Sequence, residues 1–303
     1  MGPDPLFRGP DARREFDLWY DRTLGRLDVP WEARFVGTRL GDTHVVSCGI
    51  ADGSPIVLLP GLGTTGVALP AALSQVGREF RVHVVDVIGQ PGRSAQVRPD
   101  PAGPGYGRWL EDVVVGLGID KARILAFSFG SWLALSLASH APRRIERAAL
   151  VIPAGIVPMA NDARSLLFVQ WLRGLVLHDA DAARRVNRAL AAPGEEPVEE
   201  LVELTEVASR CFRLETRPLW PFDFPTASPL RTYRREELAA FTAPTLVVAG
   251  LHDRLFPFDS LARRAAKVLP GLVSVDVDPH LGHVPSRDHF GGTMARVLAF
   301  LRQ

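Results

Sequence analysis

The stretch Arg123-Ile124-Leu125-Ala126-Phe127-Ser128-Phe129-Gly130 decides the fold of this chain. An apolar run leads to a single serine, and small and apolar residues continue from Ser131 to Leu135. This order predicts a buried strand that turns sharply into a helix and exposes the Ser128 hydroxyl, as the G-x-S-x-G pattern does for a nucleophilic serine. Ala126 occupies the first glycine position, where a small residue is needed because the two backbones come close. The alternative is a serine that only caps the helix.

Short, continuous apolar runs recur on both sides of this turn. They cover residues 56–59, 82–85, 124–127, 149–152 and 246–249. Such runs are typical of strands buried on both faces of a parallel sheet. Helical patterns lie between them, at residues 68–76, 106–116, 131–139 and 261–268, and a strand at 273–277 and a helix at 289–301 close the chain. The alternation predicts an α/β fold with an open, doubly wound and mostly parallel sheet.

The first fifty residues follow a different pattern. Residues 11–27 form an amphipathic helical pattern with Phe16, Trp19 and Leu24 on one side. Two alternating segments follow, residues 32–38 and 43–48, and the Gly41-Asp42 pair between them is typical of a hairpin. The sheet is therefore expected to begin with antiparallel strands.

Residues 156–237 interrupt the alternation of strands and helices. They contain helical patterns at 166–177 and 198–209 and a stretch rich in proline and aromatic residues at 218–225, but no clear strand. This insertion is longer than a connection requires. It predicts a helical cap over residues 156–237, inserted between core segments 1–155 and 238–303. An ordinary helical layer that fills out the fold is the alternative.

Composition and charge narrow the classes of partner. The 303 residues are 47% apolar, which is enough for a sizeable core, and 35 basic against 34 acidic side chains leave a net charge of +1. This balance does not favour nucleic acid or an anionic membrane as a partner. The longest apolar runs are strand-sized, the first 19 residues lack the apolar stretch of a secretion signal, and two cysteines cannot form a disulfide framework. We expect a cytoplasmic protein with a small-molecule substrate, and the oligomeric state stays open.

Reactive groups in such a sheet gather beyond the carboxyl ends of its strands. Asp253 follows the apolar run at 246–249, and both His280 and His283 follow the strand at 273–277. We favour His283, because the preceding Gly282 lets the loop reach back toward the sheet. A serine hydroxyl needs a base within hydrogen-bond distance and a group that orients that base. Taken alone, Asp253 could simply form a turn and His283 could be an ordinary loop histidine. Because both occur at strand ends together with Ser128, we favour a triad of Ser128, Asp253 and His283.

The loop after the first core strand supplies the remaining part of such a site. It reads Pro60-Gly61-Leu62-Gly63-Thr64-Thr65. Gly61 and Gly63 would let the backbone approach a substrate, and the N–H groups of Leu62 and Phe129 are the expected donors to an oxyanion. The alternative is that the two glycines only form a turn.

Taken together, the chain resembles α/β-hydrolases over nearly its whole length, and bacterial carboxylesterases of that superfamily most of all. The similar stretches are residues 41–46, 57–63 and 85–94, the turn at Ser128, and the loops of Asp253 and His283. The resemblance implies ester hydrolysis through an acyl-serine intermediate without a cofactor, and a structural role for Asp86. The chain departs from the family in having Pro60 where histidine is common and Ala126 where glycine is common.

Three functions are compatible with these residues. The first is hydrolysis of a small, largely apolar ester or lactone, in a pocket walled by Phe127, Phe129 and the cap residues Trp171, Trp220 and Phe222. The second is acyl transfer or ring closure, if the cap excludes water. The third is ligand binding without turnover. A dehalogenase would need an aspartate at position 128. No metal is expected, because the only ligand-spaced pair among the eight histidines is His280 and His283, which the triad already explains.

Overall fold

One mixed sheet forms the centre of the protein. The computed structural model describes residues 6–160, 182–213 and 230–303. In chain order the strands are β1 (Trp31–Thr38), β2 (Gly41–Gly49), β3 (Pro55–Leu59), β4 (Arg81–Val85), β5 (Ala122–Phe127), β6 (Ile145–Val151), β7 (Thr245–Gly250) and β8 (Leu272–Asp278). They pair in the order β1-β2-β4-β3-β5-β6-β7-β8. The pairings of β1 with β2 and of β2 with β4 are antiparallel, and all others are parallel. The predicted α/β architecture is confirmed.

Helices cover both faces of this sheet. In chain order they are α1 (Pro10–Leu24), α2 (Pro70–Gly77), α3 (Gly105–Gly116), α4 (Phe129–His140), α5 (Ala182–Leu190), α6 (Glu199–Cys211), α7 (Phe258–Val268) and α8 (Phe290–Leu301). All except α5 coincide with a predicted helix within a few residues. The helix predicted at residues 166–177 lies outside the described residues. None of the helices in the described ranges has both the length and the apolar character needed to cross a bilayer.

The core consists of two apolar layers separated by the sheet. Consecutive residues of a strand point into opposite layers: Val57 packs with one layer and Ile56 with the other. Helices α3, α4 and α7 contribute to the first layer, and α1, α2, α6 and α8 to the second. Burial on both faces explains why the central strands read as continuous apolar runs.

The antiparallel hairpin predicted near the N-terminus is confirmed, but its turn lies earlier. Thr38 pairs with Gly41, so Arg39 and Leu40 form the loop and Gly41 already belongs to β2. Gly41 has φ of 103°, a conformation that favours glycine. Arg39 is held by Asp112 of α3, to which both its backbone N–H and its guanidinium donate. The glycine therefore marks the first residue after the turn.

Two helices of the described structure, α5 and α6, lie within the predicted cap at residues 156–237. Helix α6 packs against α1 and the residues just after it: Trp19 Nε1 of α1 donates to Glu203, and Arg26, two residues beyond α1, pairs with Glu200. The backbone near Phe212 also forms a bridge with Phe7. These contacts fix α6 to the N-terminal part of the chain. The boundaries of the cap stay a prediction.

Candidate active site

Ser128 lies at the apex of the turn between β5 and α4. Its backbone has φ of 48° and ψ of −111°, and its N–H donates to Val151 at 2.9 Å. The next turn of chain is crowded: a Cβ at Gly130 would lie 2.2 Å from the carbonyl oxygen of Leu59. The predicted strand-turn-helix arrangement is confirmed. The Ser128 side chain makes no capping hydrogen bond to α4, so its hydroxyl is available for another role.

The structure brings Ser128, His283 and Asp253 together in one hydrogen-bonded chain. Ser128 Oγ lies 2.9 Å from His283 Nε2. His283 Nδ1 lies 3.2 Å from Oδ1 and 3.1 Å from Oδ2 of Asp253. A carboxylate beside Nδ1 favours the tautomer with its proton on that nitrogen, which leaves Nε2 as the acceptor for the serine proton. The arrangement is therefore able to activate the hydroxyl.

Asp253 is held in a fixed position at the end of β7. The residue is buried, and its Oδ1 accepts the backbone N–H groups of Leu255 at 2.8 Å and Phe256 at 3.2 Å. The ring of Phe256 also packs on the imidazole of His283, with 5.6 Å between ring centroids. These contacts leave Oδ2 free to orient the histidine, and they shield one side of the ring from water.

The loop of His283 is anchored to the C-terminal end of α5. The N–H groups of His283 and Val284 donate to the carbonyl oxygen of Leu190 at 2.7 and 3.0 Å. A Cβ at Gly282 would lie 2.4 Å from that same oxygen. Gly282 therefore permits close contact with α5, in addition to the reach toward the sheet expected from sequence. The role of Leu190 was not predicted, because no residue type marks a backbone acceptor.

The loop after β3 forms a tight turn beside the serine. Gly61 lies close to Ser128, since a Cβ at Gly61 would be 3.8 Å from the serine Cβ. Thr64 closes the turn by donating its N–H and its hydroxyl to Gly61 O at 3.3 and 2.8 Å. In the described part of the chain, no hydrogen bond occupies the N–H of Leu62 or of Phe129. Both groups stay available as donors.

Gln90, in the loop that follows β4, holds the loop after β3 in place. Its Oε1 accepts the N–H of Gly63 at 3.1 Å, and Gly63 has φ of 71°. Gln90 was not singled out from sequence, although it lies in the stretch 85–94 on which the resemblance rests. Its position five residues beyond the end of β4 gives no local signal for this contact.

The residues predicted to wall the pocket lie in different surroundings. Phe127 is buried in the core against Phe290, with 5.9 Å between ring centroids. Phe129 stacks on Trp132 at 5.6 Å. The other three residues expected to wall the pocket, Trp171, Trp220 and Phe222, lie outside the described residues. The described part of the candidate site is therefore the part around Ser128, without the three predicted cap residues.

Asp86 is the centre of a separate buried network. Its carboxylate accepts the hydroxyls of Tyr20 and Thr65 at 3.0 and 2.7 Å and the N–H of Arg93 at 2.9 Å, and it contacts His44 Nδ1 at 3.0 Å. Burial, together with the negative charge of Asp86, raises the pKa of Tyr20 well above its usual value. With all these partners the carboxylate ties α1 and β2 to the loop beside the site, which agrees with a structural role.

Comparison with known proteins finds a family profile and similar proteins that cover most of this chain. A profile of the alpha/beta hydrolase fold matches residues 54–289. Carboxylesterase YbfK of Bacillus subtilis (strain 168) is 25% identical over 298 residues, which cover 97% of this chain and 96% of that protein. The uncharacterized carboxylesterase nap of the same strain is 24% identical over 289 residues, covering 93% and 90%.

Solved structures show the same fold. The crystal structure of carboxylesterase CesB (YbfK) from Bacillus subtilis matches with a TM-score of 0.81 at 24% identity, covering 96% of this chain and 99% of that one. The naproxen esterase from the same organism matches with a TM-score of 0.77 at 22% identity, covering 96% and 98%. Since the family profile spans most of the chain, from the start of β3 to the loop of His283, the protein belongs to the α/β-hydrolase family.

Proposed function

We propose that this protein is a serine hydrolase that cleaves a carboxylic ester or lactone through an acyl-serine intermediate. The observation that carries the proposal is the hydrogen-bonded chain from Ser128 Oγ through His283 to Asp253, with distances of 2.9 Å and 3.1 Å. Distances of this size are what proton transfer to a general base requires. The names of the similar Bacillus proteins, which are carboxylesterases, support an ester as substrate.

The first half of the reaction forms the acyl-serine. His283 Nε2 takes the proton of Ser128 as Oγ attacks the acyl carbon, and Asp253 stabilises the resulting imidazolium. The N–H groups of Leu62 and Phe129 stabilise the oxyanion, an interaction worth about 3–4 kcal/mol per donor in comparable sites. The carbon–oxygen bond to the leaving alcohol then breaks, and His283 returns its proton to that alcohol.

Water completes the cycle by the same steps. His283 removes a proton from a water molecule as it attacks the acyl carbon, the bond to Oγ breaks, and the proton passes to Ser128. The products are a carboxylic acid and the free enzyme, so no cofactor is required. For the substrate, we keep the prediction of a small, largely apolar ester or lactone, with Trp171, Trp220 and Phe222 as pocket walls. A cytoplasmic location likewise stays a prediction from sequence.

A series of p-nitrophenyl esters of increasing acyl length tests the proposal. We expect release of p-nitrophenol and of the free acid, with loss of both in Ser128→Ala. Ser139→Ala is the matched control, because Ser139 lies at the far end of the same helix α4. Normal turnover by Ser128→Ala would contradict the proposal. Release of p-nitrophenol with transfer of the acyl group to an added alcohol, and no free acid, would identify an acyltransferase.

A further inference from the structure

Three side chains of types that can ligate a metal converge near the loop of His283, outside the triad. Glu195 Oε1 lies 3.1 Å from His280 Nδ1, and Glu195 Oε2 lies 2.8 Å from His289 Nδ1. The three ligand atoms all lie within 4.8 Å of one another. Glu195 comes from the segment between α5 and α6, whereas the two histidines flank the loop that carries His283. Residues distant in sequence therefore meet at one point.

The separations fit a tetrahedral metal ion. With zinc–ligand bonds of about 2.0–2.1 Å, the ligand atoms of a regular tetrahedron lie about 3.3 Å apart. The two nitrogen–oxygen distances, 3.1 Å to Oε1 and 2.8 Å to Oε2, are close to that value. They involve different oxygens of Glu195, so the carboxylate must turn to give one oxygen to an ion held by both imidazoles. The imidazole rings are stacked, with centroids 3.9 Å apart and planes at 9°. Ring planes this close to parallel keep the two lone pairs from meeting at one point, so both rings must rotate about their side-chain bonds to bind one ion. Both side chains are about half exposed, at 50% and 44%, which leaves room for that rotation and for a water ligand.

The chemistry of the three ligands favours zinc. Two imidazoles and one carboxylate are a known zinc ligand set, and imidazole is a good ligand for late transition metals but a poor one for Mg²⁺ or Ca²⁺. Glu195 supplies the carboxylate oxygen that completes this set beside the two imidazoles.

We propose that Glu195, His280 and His289 bind one Zn²⁺ ion, which clamps the segment after α5 to the loop of His283. Two backbone hydrogen bonds already join the same parts of the chain, from Arg287 N–H to Glu196 at 2.9 Å and from Val198 N–H to Pro285 at 3.1 Å. The ion adds a stronger link beside them. It takes no part in the ester chemistry proposed for Ser128.

This site departs from the expectation of no metal, and the reason is the fold. The sequence spacing drew attention to His280 and His283, but the loop turns so that His280 stacks on His289, and His283 faces Ser128 instead. Glu195 is 85 positions from His280. A ligand set assembled from such distant residues has no motif in the sequence.

Zinc titration of the metal-free, untagged full chain tests the proposal. We expect uptake of one equivalent by isothermal titration calorimetry, and intense visible bands of four-coordinate cobalt when Co²⁺ is used instead. Zinc should also raise Tm, since it binds the folded chain preferentially. His280→Asn and His289→Asn should each weaken binding by at least about 100-fold, because each removes a direct ligand.

His140→Asn is the matched control. His140 Nε2 contacts Glu111 at 2.9 Å, which resembles one half of the proposed site without the second imidazole, so this variant should bind zinc normally. If a histidine variant fails to fold by circular dichroism, Glu195→Gln decides, since it keeps the size of the side chain and both rings. The absence of saturable uptake by the parent chain, or unchanged affinity in the folded variants of the site, would overturn the proposal.

Discussion

Ser128 occupies a backbone conformation that L-residues rarely adopt. With φ of 48° and ψ of −111°, its Cβ crowds the neighbouring peptide groups, which costs about 1–3 kcal/mol. The surrounding chain imposes this conformation: Ser128 N–H donates to Val151 O, and Ser128 O accepts the N–H of Ala154 at 3.1 Å. The strain places Oγ at the apex of the turn, within 2.9 Å of His283 Nε2.

Substitutions at Ser128 should distinguish the effect of backbone strain on stability from the effect of the hydroxyl on activity. Ser128→Ala and Ser128→Gly both lack the hydroxyl and should be inactive. Glycine tolerates a positive φ, so we expect Ser128→Gly to exceed Ser128→Ala in free energy of unfolding by about 1 kcal/mol, despite the entropy that glycine gains in the unfolded chain. Urea unfolding measures the difference. If Ser128→Gly proved the less stable variant, the strain inferred at this position would be wrong.

Asp253 offers a second test at the scale of a residue. Asp253→Asn keeps the shape of the side chain, but an amide beside His283 Nδ1 favours the wrong tautomer of the imidazole. We expect kcat to fall by about 10⁴-fold, as in the corresponding change in other serine triads. Steady-state kinetics on a p-nitrophenyl ester measures it. The exposed Asp259, at the start of α7, supplies the control Asp259→Asn, and equal rates for the two variants would argue against the orienting role.

At the scale of elements, the strand β3 and the helix α4 control the position of the serine. Gly130 is the contact point between them, because its Cα lies against the carbonyl of Leu59. Ala126, on the other side of the serine, is fully buried and accepts the hydroxyl of Ser131 at 3.0 Å through its carbonyl. The second small position of the turn is therefore the more restrictive one, which explains how the chain accommodates alanine at the first.

Substitution at these two positions should have unequal effects. Gly130→Ala places a methyl group 2.2 Å from Leu59 O, so we expect a loss of about 1–3 kcal/mol of stability and a lower kcat as α4 shifts. Ala126→Gly should stay active and lose only about 1 kcal/mol. Thermal unfolding and kcat/KM measure both effects. Equal tolerance at the two positions would contradict this account of the turn.

The elements differ in how well the sequence predicts them. Central strands such as β5 and β7 are predictable, because burial on both faces requires a continuous apolar run. Helix α5 is harder to predict, because its sequence AARRVNRAL is mostly polar or small. Its buried Asn187 is satisfied by donating its side-chain amide to Ala183 O and to the hydroxyl of Thr205. That stabilisation depends on α6, which a local pattern cannot include.

At the scale of the whole molecule, the fold assembles the site from distant segments. Ser128 and His283 are 155 positions apart, yet their polar atoms lie in hydrogen-bond distance. Residue types at strand ends were sufficient to propose the triad, because parallel strands bring their carboxyl ends to one edge. Contacts such as that of His283 N–H with Leu190 O, or of Gly63 N–H with Gln90, depend on three-dimensional packing and leave no pattern in the sequence.

The whole molecule should lose stability in mild acid through His83. Burial, and secondarily Arg81, lowers the pKa of His83 from 6.5 to about 4. The unfolded chain therefore binds the proton more readily, and the folded state loses stability as pH falls from about 6.5 toward 4. Between pH 7 and pH 5 this group accounts for a loss on the order of 2 kcal/mol.

Urea unfolding at both pH values, with His83→Gln as the comparison, isolates this effect. The variant lacks the titrating group, so its stability should fall less than that of the parent chain by about that amount. The other histidines are present in both proteins and cancel in the comparison. An equal loss in the two proteins would show that His83 does not link folding to protonation.

The central claim is that Ser128 is a nucleophile activated by His283. Reaction with a fluorophosphonate probe, followed by peptide mass spectrometry, tests it most directly. We predict one covalent adduct per chain, located on Ser128, and a strong loss of labelling in His283→Ala, which keeps the serine but removes the base. Labelling at another residue, no labelling of the folded protein, or labelling of Ser128 at an unchanged rate without the imidazole would contradict the claim.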